Sequence, residues 1–391
     1  VYPPAPRNME ELMNSKKLLL ALILAAFVVS VLAVPGPANA QKEKEQAKPQ
    51  EKEKVYIPKD VKAVFEQGLA TRQGATGVPL AVTQHLFFPY YRALDLLHNV
   101  FQIRVKNSDL GFGPAGAPAP QAEEKKAEEK KETTSAFEAV PSTEMEAVFD
   151  VFLQFREMKD NVPGKIVKEV YVPTQIVIPA AEYKADEEGV YYISYDLPPG
   201  SYLLIAGIQR VVPGADKKKP ETLLGSTYFD FSTPDPAKLE GKLETTPILI
   251  TKEIGQLQAQ ETRTILHRGY FTYLVLKITP NTANTVPQKS NLEILYFVLG
   301  AKANEAGKFA LETGMEIKAG EKEVIKYSST VYDAPYVSLP LPLKQTVKIT
   351  SGETERTETR DLAPGKYTLV VNITDKIGGG TVTKTLDFEV I

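Results

Sequence analysis

Residues 361–371 read D-L-A-P-G-K-Y-T-L-V-V, and residues 196–206 read D-L-P-P-G-S-Y-L-L-I-A. Each copy carries a Pro-Gly pair, Pro199 with Gly200 and Pro364 with Gly365. Proline presets φ and glycine takes backbone conformations that other residues resist, so each pair marks a turn. Beyond the second turn Tyr367, Leu369, Val371 and Ile373 alternate with Thr368, Val370, Asn372 and Thr374. Tyr202, Leu204, Ala206 and Ile208 hold the matching places in the first copy. Period two with one apolar set predicts a strand with one buried face. Both copies then lead through a turn to a closing strand, with Phe229 and Phe231 matching Leu386 and Phe388.

Two copies of one device predict an all-β chain of two tandem β-sandwich domains. The first is expected over residues 55–235 and the second over 240–391, with the boundary in the linker at 232–242, which holds T-P-D-P and then charged residues. A tyrosine two residues after the turn glycine resembles the tyrosine corner of immunoglobulin-like sandwiches. The candidate structural residues are therefore Pro199, Gly200, Tyr202, Pro364, Gly365 and Tyr367. Each tyrosine ring is expected in a core, its hydroxyl bonded to the backbone of its own turn, and each glycine at positive φ.

Outward from that frame, residues 13–40 read as a secretory signal: Lys16 and Lys17, an apolar run over 18–34, then Ala38-Asn39-Ala40. Cleavage is expected after Ala40, leaving no membrane span, with residues 1–8 an upstream extension. Residues 41–54 are nearly all Lys, Glu, Gln and Ala and predict a disordered charged tether. The chain has no cysteine, which excludes disulfide staples, thiolate metal sites and thiol nucleophiles. An exported sandwich without disulfides points to a bacterial periplasmic or extracellular protein. A hydrophobic content of 43% permits real cores. A net charge of −3 gives no basis for nucleic-acid binding.

Asp60 is expected to cap a short helix with Val61, Val64 and Phe65 on one face. Residues 111–135 begin G-F-G-P-A-G-A-P-A-P and continue as a Glu/Lys repeat, which predicts a disordered insertion within the first sandwich. Strands are expected at 80–88, 100–106, 145–155, 165–171, 175–178 and 189–195 in the first domain, and at 247–251, 269–279 and 292–299 early in the second. The Pro-rich segment 332–342 has no ladder-compatible alternation and is expected as a packed loop or a partner-binding strip.

No catalytic constellation stands out. His85, His98 and His267 lie at no metal-ligand spacing, and nucleophile-elbow, zincin, phosphate-loop and EF-hand patterns are missing. His85 is expected at a surface or edge. Gly378-Gly379-Gly380 sits between two strands and reads as a hairpin turn. Tyrosine is abundant, at 18 residues. Tyr90, Tyr91, Tyr191, Tyr192 and Tyr195 are candidate sugar-stacking platforms, with packing as the competing reading.

The run L-A-P-G-K-Y-T-L-V-V-N-I-T-D, with the later L-D-F-E-V, resembles the immunoglobulin-like C-terminal module of bacterial exported proteins of the GWxTD-domain group. The motif that names the group is absent, since the chain has no tryptophan. The resemblance implies fold and export. The expected function is a non-enzymatic interaction or scaffold protein of the bacterial envelope, without cofactor or metal, whose partner is an envelope protein or polysaccharide. The alternative is carbohydrate binding through exposed tyrosines.

Overall fold

The computed structural model describes residues 57–90, 95–116, 143–213, 220–239, 241–351 and 354–391. The expected signal, the tether at 41–54 and the insertion beyond Gly116 lie outside these residues. The N-terminal half holds helix α1 (Lys59–Gly68), β1 (Leu80–Pro89), β2 (Leu97–Lys106), one turn α2 (Asn107–Leu110) and β3 (Gly113–Pro114). It continues with β4 (Glu144–Lys159), β5 (Val162–Pro179), β6 (Glu188–Leu197), β7 (Gly200–Pro213) and β8 (Pro220–Thr233). The C-terminal half begins with β9 (Glu244–Thr245), β10 (Leu249–Gln256), β11 (Leu266–Arg268), β12 (Phe271–Tyr273), β13 (Leu276–Pro280) and β14 (Thr285–Val286). Then follow β15 (Asn291–Leu299), β16 (Leu311–Ala319), β17 (Lys322–Lys326), β18 (Thr330–Tyr332) and β19 (Tyr336–Pro342). The chain ends with β20 (Lys344–Ser351), β21 (Thr354–Asp361), β22 (Gly365–Asp375) and β23 (Thr381–Val390).

The protein is all-β, and its principal sheets stack as four layers. In the first, β4 pairs with β5, β7 and the short β3, and β7 pairs with β8. The second runs β1-β2-β6-β11, and the third runs β12-β13-β10-β15-β19 with β9 on β15. The fourth runs β14-β23-β22-β16-β17 with β18 on β16, while β20 and β21 form a separate hairpin. Phe149, Val151, Leu153 and Phe155 of the first layer pack on Phe101, Ile103, Tyr191 and Ile193 of the second. The opposite face of the second layer, with Leu86, Phe88, Val100 and Tyr192, packs on Leu249, Phe271, Leu295 and Phe297 of the third. Ile294, Tyr296 and Val298 then point the other way, onto Ile317, Leu369, Val371 and Ile373 of the fourth.

Sequence pattern follows layer position. In the outer layers strands alternate, as in β4 and β22. The inner strands β2 and β15 are covered on both sides and buried along nearly their whole length; β15 reads as a nearly continuous apolar run, whereas β2 carries buried His98, Asn99 and Gln102. A bulge between Val82 and Gln84 in β1 adds a further twist. Val82 faces the first core while Leu86 and Phe88, of the same parity, face the third layer.

Helix α1 lies on the outer face of the first layer, where Val61 and Phe65 meet Phe152, Leu203 and Ile205. Its N-cap is Pro58 with no side-chain bond, so Asp60 is not the cap but the second helical residue, in the first turn, where a carboxylate favours the positive helix end. The strands expected at 165–171 and 175–178 are one strand, β5, because Pro173 lies on a sheet edge where no outward donor is needed. The strand expected at 269–279 is a hairpin, β12 and β13, with Leu274 at φ +54. The 332–342 segment contains edge strand β19, paired to β15 with Pro340 opposite Glu293 and Pro342 opposite Asn291. Gly113–Pro114, at the start of the expected insertion, bridges to β4.

The two quoted stretches occupy equivalent places. Tyr202 faces Phe231 across β7 and β8, and Tyr367 faces Phe388 across β22 and β23. Gly200 and Gly365 have φ of +159 and +153, at the margin of the extended region. These positive φ values, which side-chain-bearing residues rarely adopt, require glycine at both positions, and at Gly200 the close approach of the ring adds to that requirement. A Cβ on Gly200 would sit 3.2 Å from the Tyr202 ring.

Candidate functional site

The N-terminal sandwich is closed on one side and open on the other. On the closed side, Gly77 donates to the Leu224 carbonyl and Thr76 bridges Gly225, joining the approach to β1 with β8. On the open side the free edges are β5 of the first layer and β11 of the second. Strand β11 comes from the C-terminal half: Leu266 pairs with Ile193 and Arg268 with Tyr191. Leu266 is buried in the N-terminal core. The segment thus crosses the expected domain boundary and completes the second layer.

Between these edges runs a groove of about 1510 Å³. It wraps the β5 edge: Lys168 and Tyr195 line it on the inner face of the first layer, Tyr171 on the outer face beside Phe152, and Arg263 and Ile265 from the segment leading into β11. The Tyr171 ring stacks on Phe152 at 5.4 Å between centroids, and its hydroxyl donates to Asp150 Oδ1 at 2.9 Å. Burial and the Asp150 carboxylate raise the Tyr171 phenol, so it stays a neutral donor. Lys168 Nζ lies 5.8 Å from the centre of the Tyr195 ring, within cation–π range. The carboxylate beside them is occupied: Glu169 accepts from Lys62 Nζ at 2.8 Å and from Gln154 Nε2 at 3.0 Å. Tyr171 and Ile265 remain 41% and 40% exposed. The groove therefore carries an aromatic ring on each face of the β5 edge, an apolar residue in Ile265 and two cations, Lys168 and Arg263, while its two carboxylates, Asp150 and Glu169, are engaged by neighbouring donors.

A second hollow, of about 890 Å³, lies at the seam between the halves and is lined by Gln84, Arg104, Asn281 and Lys384. Its cations are engaged: Arg104 pairs with Glu188 and Lys384 with Glu244. The β5 groove is the stronger candidate because the Tyr171 ring stands 41% exposed there.

The tyrosines expected as platforms are distributed differently. Tyr191 and Tyr192 are both buried, since the sheet that carries them is covered on both faces. Burial pushes the Tyr191 phenol up to about 12, against the opposing pull of Arg268. Tyr90 is bonded within the seam, Tyr91 lies outside the described residues, and Tyr195 alone of the five lines the groove. Tyr171, the other open ring, was masked in the sequence by its place in an apparently ordinary strand. Its outward position follows from the alternation with Val170 and Val172, which was the available signal.

The histidines also occupy unexpected surroundings. His85 stacks on Phe101 at 5.1 Å and packs against Phe231 at 4.6 Å, inside the first core. Its Nε2 donates to Asn99 Oδ1 at 2.9 Å, and burial holds its pKa down to about 4. His98 and His267 sit at the seam. Among the described residues no group of three or more His, Asp or Glu side chains is placed to hold a metal ion. Among them, too, no helix is long and apolar enough to cross a membrane.

The Pro-Gly-Tyr residues do not line either hollow. They hold the ends of two hairpins, Tyr202 donating to the Pro198 carbonyl at 2.9 Å and Tyr367 to the Ala363 carbonyl at 2.8 Å. Comparison with protein-family models and with curated proteins returns no match.

Proposed function

We propose that this is an exported, non-enzymatic interaction or scaffold protein of the bacterial envelope, built from two immunoglobulin-like modules stacked face to face. The partner is an envelope protein or a polysaccharide, met at the β5 groove outside the membrane. The observation that carries this reading is the groove itself: an open, aromatic-lined channel walled by both halves of the chain. Stacked layers with a shared core suit a rigid spacer, because relative motion of the halves would expose Phe88, Phe271 and Phe297. The signal-like N-terminus and the absence of cysteine support an envelope location.

The experiment is photo-crosslinking in cells from a reactive residue placed at Tyr171 or Ile265, with one at Lys376 as a distant control. Crosslinks to a single envelope partner from the groove positions alone support the reading. Equal labelling from all three positions sinks it.

The alternative, carbohydrate binding, is favoured by the open Tyr171 and Tyr195 rings, which suit the flat faces of sugars. A glycan array with Tyr171→Ala and Tyr195→Ala separates the two. Tight binding of one polysaccharide that both substitutions remove establishes the alternative.

A further inference from the structure

His98 lies on β2, 9% exposed, between the second and third layers. Both of its ring nitrogens face acceptors. Nδ1 is 2.8 Å from Asp196 Oδ1 on the neighbouring strand β6, and Nε2 is 2.9 Å from the backbone carbonyl of Thr272 on β12, in the next layer. A backbone carbonyl only accepts, and an ionised carboxylate only accepts. A neutral imidazole carries one N–H, so only the imidazolium donates to both partners at once.

The remaining groups around His98 sharpen this. The Tyr90 hydroxyl, at the far end of β1, lies 3.1 Å from His98 Nδ1 and 3.1 and 3.2 Å from the two Asp196 oxygens. Burial and the Asp196 charge raise the Tyr90 phenol, so it remains a donor. From the third layer, the Tyr273 ring packs 5.7 Å from the imidazole, and its hydroxyl donates to the Pro89 carbonyl. Burial, then Asp196, raises the Tyr273 phenol too. Thr272 continues the chain of bonds outward: its Oγ1 donates to Glu261 Oε2 at 2.8 Å, which also lies 2.9 Å from His267 Nε2.

We propose that His98 is a proton-operated clasp between the two halves of the chain. As imidazolium it ties β2 and β6 to β12 through two charge-assisted bonds. When the ring proton passes to solvent, Nε2–H stays on Thr272 and Tyr90 turns its hydroxyl from Asp196 onto the vacated Nδ1 lone pair. The His98–Asp196 bond is lost, and the bond across the seam falls to the strength of an uncharged one, about half. The seam therefore loosens in the alkaline direction.

The test uses the full chain, titrated between about pH 5 and pH 8, where imidazoles change charge. Nitrogen-resolved NMR of the ring reads which nitrogens carry protons. Amide exchange at residues 271–273, corrected for its intrinsic pH dependence, reads the seam. The expected result is two protonated ring nitrogens at the acid end and roughly a tenfold rise in exchange as the ring titrates. His98→Gln should flatten that rise. Asp196→Asn, a substitution at a side chain 45% exposed, removes the carboxylate that faces Nδ1, should leave a single ring N–H at the acid end, and serves if the glutamine variant does not fold. A single ring N–H at the acid end, exchange that ignores pH, or a rise that persists in His98→Gln and disappears in His267→Gln overturns the proposal.

Discussion

Tyr202 and Tyr367 stand 165 positions apart and make the same bond, each hydroxyl donating to the carbonyl four residues upstream. Each ring also rests on the phenylalanine opposite it, Phe231 at 5.5 Å and Phe388 at 5.9 Å between centroids. Their settings differ in depth. Tyr202 is 6% exposed, whereas Tyr367 is only half-buried. Replacing Tyr202 with Phe should cost about 1 kcal/mol, the net worth of one hydrogen bond, and Tyr367→Phe less, because water can satisfy the freed carbonyl there. Urea melts of the two variants measure the difference. Equal losses would mean that burial does not set the strength of the corner.

The glycines before them should rank the same way for a different reason. A methyl group on Gly200 would meet the Tyr202 ring at 3.2 Å, and one on Gly365 would meet the Tyr367 ring at 3.7 Å. Both substitutions strain the backbone at φ +159 and +153; Gly200→Ala in addition forces the ring to shift, while at Gly365 the ring contact is ordinary. The expected difference in melting free energy is on the order of 1 kcal/mol, with Gly200→Ala the worse. Equal losses would show that the backbone conformation alone, and not the ring, demands glycine.

His85 should make the fold acid-sensitive. Its pKa is held down to about 4 by burial, against 6.5 in the unfolded chain. Between those values the unfolded state binds a proton that the folded state refuses, so stability rises with pH there and is lost as pH falls. The loss should approach about 2–3 kcal/mol by pH 4, and His85→Gln, which keeps a donor for Asn99, should remove most of that slope. Chemical denaturation across the acid range measures it. A slope unchanged in the variant assigns the sensitivity to other groups.

Leu266 lies beyond the expected domain boundary yet fills the N-terminal core. Leu266→Ala should cost about 3 kcal/mol, typical of a buried leucine, and should lower the melting of both halves together. Fluorescent or NMR probes placed in each half report this. A drop confined to the C-terminal half would show that the strand adds nothing to the sandwich it joins.

The repeated Pro-Gly-Tyr device, the alternation of β4 and β22 and the general strand content were legible in the sequence because each depends on neighbours two to five residues away. The outward turn of Tyr171 was legible in principle by the same parity. The burial of both Tyr191 and Tyr192 was not, since one face of their strand is covered by residues some eighty positions later. The same holds for His98, whose second acceptor, Thr272, is 174 positions away.

Local chemistry in the chain itself determined that it would be mainly β with a short helix ahead of the strands, where its hairpins bend and which strands present one apolar face. The tertiary structure alone decided that the two halves share a core, that β11 crosses between them and that a groove opens beside β5. Strand pattern records how many faces are buried, whereas the identity of the covering layer depends on long-range pairing that no window of sequence contains.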